Sequence, residues 1–128
     1  MIVVEGMAGR EVGMMLADMA AKIGAALLSP AAGQGEVRHV YAGDRISDLL
    51  THAHDGALLV SNLSGGQLIR LAELMDGVAL CLVNGQMPDD AVIAAARQHG
   101  TGVLVSPVGL YETCGRLFAC LQDGRSQA

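Results

Sequence analysis

Three apolar runs decide the fold class: Ala57-Leu-Leu-Val-Ser61, Val78-Ala-Leu-Cys-Leu-Val83 and Val103-Leu-Val105. Each is short and apolar at nearly every position rather than alternating, as a strand covered on both faces requires. A helical pattern follows each one. Behind the first run, Ser64-Gly-Gly-Gln67 matches a capping box, and Leu68, Leu71, Ala72 and Met75 recur on one helical face up to Asp76-Gly77. After the second, Pro88 suits a first helical turn with Asp89 and Asp90 at its positive end. Val92, Ile93 and Ala96 form the buried stripe of that helix, and His99-Gly100 its C-cap. After the third, Leu110, Cys114, Leu117 and Leu121 space out a last helix over 110–121. Strand and helix in strict alternation predict an α/β fold: a three-layer single domain with a mainly parallel central sheet flanked by helices and right-handed crossovers.

Working outward toward the amino terminus, Val12, Met15, Leu16, Met19 and Ile23 place a helix over Arg10 to Ile23. Ala25 to Ser29 reads as a strand, Pro30 to Glu36 as a loop, and Val37 to Tyr41 as a weakly alternating strand. Ile46 to Ala53 reads as a short helix with Asp44 as its N-cap. No linker divides the chain, and the tail from Asp123 is expected to fray.

Composition removes several function classes. Of 128 residues, 52% are apolar and 16% charged, and the mean hydropathy is +0.41. The aromatics number three, Tyr41, Tyr111 and Phe118, too few for a base-stacking platform. Eight basic residues against thirteen acidic ones leave a net charge of −5, the wrong sign for phosphate backbones or anionic membranes. The longest apolar runs are about a third of a membrane span. Met1 to Gly6 lacks the pattern of a signal peptide. Three cysteines with no C-x-x-C pair predict no disulfide framework, so the expected compartment is the reducing cytosol.

Motifs are sparse. Gly6-Met-Ala-Gly9-Arg-Glu-Val-Gly13 resembles a phosphate-holding turn but fits neither the P-loop nor the dinucleotide fingerprint. On a helix, His52 and His54, two apart, would point about 200° away from each other and share no ion, whereas an extended segment would let them. They read as solvated helix-end residues, and no metal site or cofactor is expected. Ser61, Ser64, Ser106 and Cys114 lack a nucleophile elbow, and serines between strand and helix serve as caps more often than as nucleophiles. No catalytic residue is assigned; Ser106 and Cys114 are the candidates if the chain were an enzyme. Ligands of parallel α/β sheets bind outside the carboxyl ends of the strands. Here those ends supply the candidate ligand-binding residues Asn62, Ser64, Gly65, Gly66, Asn84, Gly85 and Ser106.

Four collinear blocks carry a family resemblance. Tyr41-Ala-Gly-Asp-Arg-Ile-Ser-Asp-Leu-Leu50 resembles the segment that opens a DRTGG domain. Val83-Asn-Gly-Gln-Met-Pro-Asp-Asp90 resembles its strand, turn and helix start, and Ala94 to Ser106 its next helix and strand. Tyr111-Glu-Thr-Cys-Gly-Arg-Leu117 with Phe118 resembles its closing helix. The similarity covers residues 36–121; 1–35 then form an N-terminal helix and strand extension, and 122–128 the tail. The five naming letters are replaced by Glu36-Val-Arg-His-Val-Tyr-Ala-Gly43, which keeps Arg38 and Gly43. DRTGG domains accompany CBS domains in pyrophosphatases and occur in phosphotransacetylases and HPr kinase-related proteins. The resemblance implies a non-catalytic regulatory or dimerisation module. It also implies an association with a redox enzyme such as an iron hydrogenase. The helix amino ends at the strand-end rim make a nucleotide or other anion the expected ligand, and the low charge of so apolar a chain makes a homodimer the expected state. A purely structural protein–protein partner is the alternative expectation.

Overall fold

A computed structural model describes residues 2–5, 13–31, 35–64, 66–74 and 78–126. In chain order the elements are β1 (Ile2–Glu5), β2 (Met14–Met15), α1 (Leu16–Ile23), β3 (Ala26–Ser29), β4 (Glu36–Val37), β5 (His39–Ala42) and α2 (Ile46–Thr51). They continue with β6 (Ala57–Ser61), α3 (Gly66–Leu74), β7 (Ala79–Leu82), α4 (Asp90–Gln98), β8 (Gly102–Val105) and α5 (Leu110–Ser126). The six-stranded sheet runs β1-β5-β6-β7-β8-β3. Its four central strands are mutually parallel, and β1 and β3 close the two edges antiparallel. The fold is the three-layer α/β domain with a mainly parallel sheet that the apolar runs predict.

Each central strand is buried on both faces because its residues feed two cores in turn. Leu58 and Val60 of β6, Cys81 of β7 and Leu104 of β8 share a core with Met19 and Ile23 of α1 and with Leu117 and Leu121 of α5. Leu59, Leu80, Leu82 and Val105 share the other with Leu49 of α2, Leu68 and Leu71 of α3, and Val92 of α4. A run apolar at every position is thus two period-2 stripes superimposed.

The amino-terminal half departs from the periodicity. The helix expected from Arg10 begins only at Leu16, and Met14–Met15 pair antiparallel with Val37 and Glu36. Gly13 shows why: a Cβ there would lie 2.7 Å from the Val37 carbonyl oxygen and from Glu36 Cγ. The chain passes too close to β4 for a side chain, and that approach overrides the helical spacing. Residues 6–12, with most of the glycine-rich turn, lie outside the described residues. The strand expected over 37–41 breaks at Arg38, where the Arg38 and His39 N–H groups both donate to the Gly56 carbonyl at 2.8 and 3.1 Å.

Helix boundaries also shift. Arg45, not Asp44, is the N-cap of α2, without a side-chain cap bond, and α2 ends at Thr51. Pro88 stands before α4 rather than in its first turn, with Asp89 as N-cap. His99 caps the carboxyl end of α4, and Gly100 follows at φ +70°. The Gly100 and Thr101 N–H groups return to the Arg97 and Ala96 carbonyls, a Schellman motif. Helix α5 runs to Ser126, past the expected end at Leu121 and into the segment read as tail.

Candidate functional site

The carboxyl ends of β6, β7 and β8 lie side by side, with Ser61, Leu82 and Val105 in one cross-strand row. The loops that follow carry the candidate ligand residues to one rim of the sheet. Connections α2, α3 and α4 pack on one face, whereas α5, which follows β8, packs on the other. The loops after β7 and β8 therefore leave toward opposite faces, which is where α/β sheets open a crevice.

Backbone bonds lace that position together. Asn84 and Gly85 both take left-handed φ, 60° and 65°, and Gln86 N–H donates to the Val83 carbonyl at 3.1 Å, a type I′ turn. Asparagine tolerates this conformation and glycine adopts it freely. The Asn84 N–H donates to the Val108 carbonyl and the Gly85 N–H to that of Ser106, each at 2.8 Å. Neither amide faces an incoming anion.

Ser106 and Thr113 are fully buried beneath this turn. Their hydroxyls lie 2.7 Å apart, and Thr113 Oγ1 donates to the Val108 carbonyl at 3.3 Å. Each hydroxyl has one proton, so Ser106 donates to Thr113 and accepts from the Val108 N–H at 3.4 Å. This pair ties the end of β8 to the first turn of α5. Ser61 does the same locally, accepting the Leu63 N–H at 2.9 Å. Asn62, Ser64, Gly66, Asn84 and Gly85 remain exposed, and Gly65 lies outside the described residues. The rim thus offers two asparagine side chains, the Ser64 hydroxyl and the amino ends of α3 and α5. At α4, Asp89 and Asp90 already supply negative charge to the helix terminus.

Neither nucleophile candidate is activated. The Ser106 hydroxyl is spent on Thr113 and Val108, with no histidine against it. Burial pushes the Cys114 thiol above its ordinary range. Burial, then the neighbouring Cys114, pushes Cys81 up to about 12 against a bond from Ser106. Thiols held neutral are poor nucleophiles.

A second cluster lies at the opposite end of β5 and was not foreseen. His52 stacks on Tyr41 with ring centres 4.3 Å apart and planes 20° from parallel. His54 meets the edge of Tyr41 at 5.6 Å and that of His39 at 5.5 Å, with its Nε2 3.4 Å from the Tyr41 hydroxyl. The two histidines are not simply solvated: His52 is half-buried against a ring, although His54 stays exposed. Alternation along β5 holds the signal, because His39 and Tyr41 share a strand face. Among the described residues no group of three or more His, Cys, Asp or Glu side chains is arranged to hold a metal ion.

No family model and no curated protein sequence matches the chain. A solved structure does: the CBS and DRTGG domains of the regulatory region of Clostridium perfringens pyrophosphatase, complexed with the activator diadenosine tetraphosphate. The TM-score is 0.72 at 15% sequence identity, covering 87% of this chain. The chain has a DRTGG-like fold. It spans about half of that solved regulatory chain, 49% of its length. At this identity the DRTGG-like likeness concerns the path of the backbone. Among the described residues no helix is long and apolar enough to cross a membrane.

Proposed function

We propose that this DRTGG-like chain is a non-catalytic regulatory module, a cytoplasmic homodimer that senses a nucleotide or another anion at the rim. The ligand would meet Asn62, Ser64, Gly65, Gly66, Asn84 and Gly85, with Ser106 holding the loop from beneath. The observation that carries this reading is the fold shared with a regulatory region that was solved with its nucleotide activator. The rim supports it in three ways. It collects exposed polar side chains, Gly66 at the start of α3 is exposed, and neither serine nor thiol near it is activated for chemistry.

Thermal unfolding of the full chain across a panel of adenine and guanine nucleotides, including dinucleoside polyphosphates, tests the sensing. A ligand at 100 times its dissociation constant adds about 2.7 kcal/mol. With an unfolding entropy of about 2.1 cal/mol/K per residue, that is a rise of roughly 10 °C for this chain. No shift with any of them overturns the sensing role.

A second reading, a purely structural partner of another protein such as a redox enzyme of the iron hydrogenase kind, is favoured by one observation. Tyr111 and Phe118 stand exposed on one helix, 90% and 46% accessible. This reading predicts co-purification with that enzyme and no response to nucleotides.

A further inference from the structure

We infer that the outer face of α5 is the surface on which a second copy of this chain docks, antiparallel across a two-fold axis near Gly115. The inference rests on the dimer reading above and names its interface. Of the three aromatic rings in the chain, Tyr41 is buried and the other two are left in solvent on this helix. Tyr111, Gly115 and Phe118 recur at i, i+4 and i+7 and form one stripe, while Cys114, Leu117, Cys120 and Leu121 hold the opposite face to the core. Between the two rings, the direction a Cβ would take from Gly115 is open, with no atom within 4 Å. A second backbone can approach there as it could not over a larger residue.

The pattern is self-complementary, which is what a two-fold contact demands. An antiparallel copy centred between residues 114 and 115 sets Tyr111 against the partner's Phe118 and Phe118 against the partner's Tyr111. The charges obey nearly the same axis. Glu112 and Arg116 form an ion pair of 2.8 Å within one helix, on the flank beside the aromatic stripe. Antiparallel docking brings Glu112 opposite the partner's Arg116 and Arg116 opposite the partner's Glu112, so the flanking charges meet with opposite sign.

Size is consistent with this occupant. A standard interface covers about a tenth of a small protein's surface, which for 6210 Å² is roughly 600 Å² per partner. Tyr111 and Phe118 supply roughly half of that. The seventeen residues of α5 extend about 25 Å, and an axis between residues 114 and 115 overlaps 110–119 of the two copies, about 15 Å or just under three turns of contact in all. Leu27 on the edge strand β3 is a weaker docking surface, because a register shift in β3 and Pro30 just after it blunt that edge.

The test is the mass of the full chain by light scattering and sedimentation, with Phe118→Glu and Gly115→Cys as variants. The wild type is expected at about 26 kDa, twice 13.2 kDa, and Phe118→Glu at 13.2 kDa at the same concentration. Phe118→Glu changes a half-exposed position, so its Tm should stay within about 3 °C of wild type. Under mild oxidation Gly115→Cys should run as a covalent dimer, because the two copies meet at that residue. Glu73→Cys, exposed on α3 across the sheet, should not. Should Phe118→Glu fail to fold, the cross-link alone decides. A wild type that stays monomeric at 100 µM, a concentration of roughly this order being ample for a specific dimer, overturns both the interface and the dimer reading. A wild-type dimer that survives Phe118→Glu, or that Gly115→Cys does not cross-link, overturns the interface and leaves the dimer standing.

Discussion

Replacing Thr113 by valine removes one oxygen from the centre of the loop structure at the rim and changes little else in shape. Thr113 and Ser106 are both fully buried, so water cannot take over the lost contacts. The substitution strands the Ser106 proton, which loses its acceptor at 2.7 Å; the Val108 carbonyl loses the Thr113 bond at 3.3 Å but keeps the one from the Asn84 N–H at 2.8 Å. Leaving a buried polar group unsatisfied costs about 1–3 kcal/mol. Ser106 can recover part of this by rotating, so about 2 kcal/mol is expected for Thr113→Val. For 128 residues the unfolding entropy near the midpoint is about 270 cal/mol/K, which makes this a fall in Tm of roughly 7 °C. Ser106→Ala should cost less, about 1 kcal/mol, since Thr113 still donates to Val108. The double variant should lose less than the sum of the two, because removing both partners strands fewer groups than removing one. Urea unfolding of the four proteins measures the coupling. A loss below about 0.5 kcal/mol for Thr113→Val, or strict additivity, refutes the hydroxyl pair as the tie between β8 and α5.

Two further outcomes follow from the packing. Gly13→Ala should destabilise by about 1–3 kcal/mol, because its Cβ would sit 2.7 Å from the Val37 carbonyl oxygen; an unchanged urea midpoint would contradict the close approach of β2 to β4. Cys81, whose thiol is raised from 9.0 to about 12, favours the folded state fully below pH 9, and that contribution is lost as pH rises from 9 toward 12. Stability should therefore decline more steeply above pH 9 in the wild type than in Cys81→Ala, and equal slopes in urea titrations at pH 8, 9.5 and 10.5 would count against the buried neutral thiol.

The carboxyl-terminal half is close to fully legible. Runs apolar at every position, such as Val78 to Val83, state directly that both faces are covered, and the amphipathic stripes between them place the helices. Ends were less legible. Asp44 resembles a cap by residue type, yet the backbone turns into α2 one residue later, and cap preferences of about 1 kcal/mol yield to the path set by β5. At the rim, the positions of Asn62, Asn84 and Ser106 followed from strand ends alone. That Ser106 faces inward onto Thr113 did not, because seven residues and a change of sheet face separate the two.

What the sequence determined by itself is therefore local and periodic: which segments are strands buried twice, which helices cover them, and that the central strands run parallel. Composition also settled, through net charge and the scarcity of rings, which large classes of partner are disfavoured. Tertiary structure alone decided the pairings between distant segments. Among them are β3 set against β8, with Ala26 opposite Val105, and the amino-terminal β1 on the far edge beside β5. It also decided the passage of α5 to the second face and the gathering of His39, His52 and His54 around Tyr41. The physical reason is that a side chain's period shows which way it points but not what it will meet. Long-range pairing depends on closing loops and filling both cores at once, and only the folded chain satisfies those conditions together.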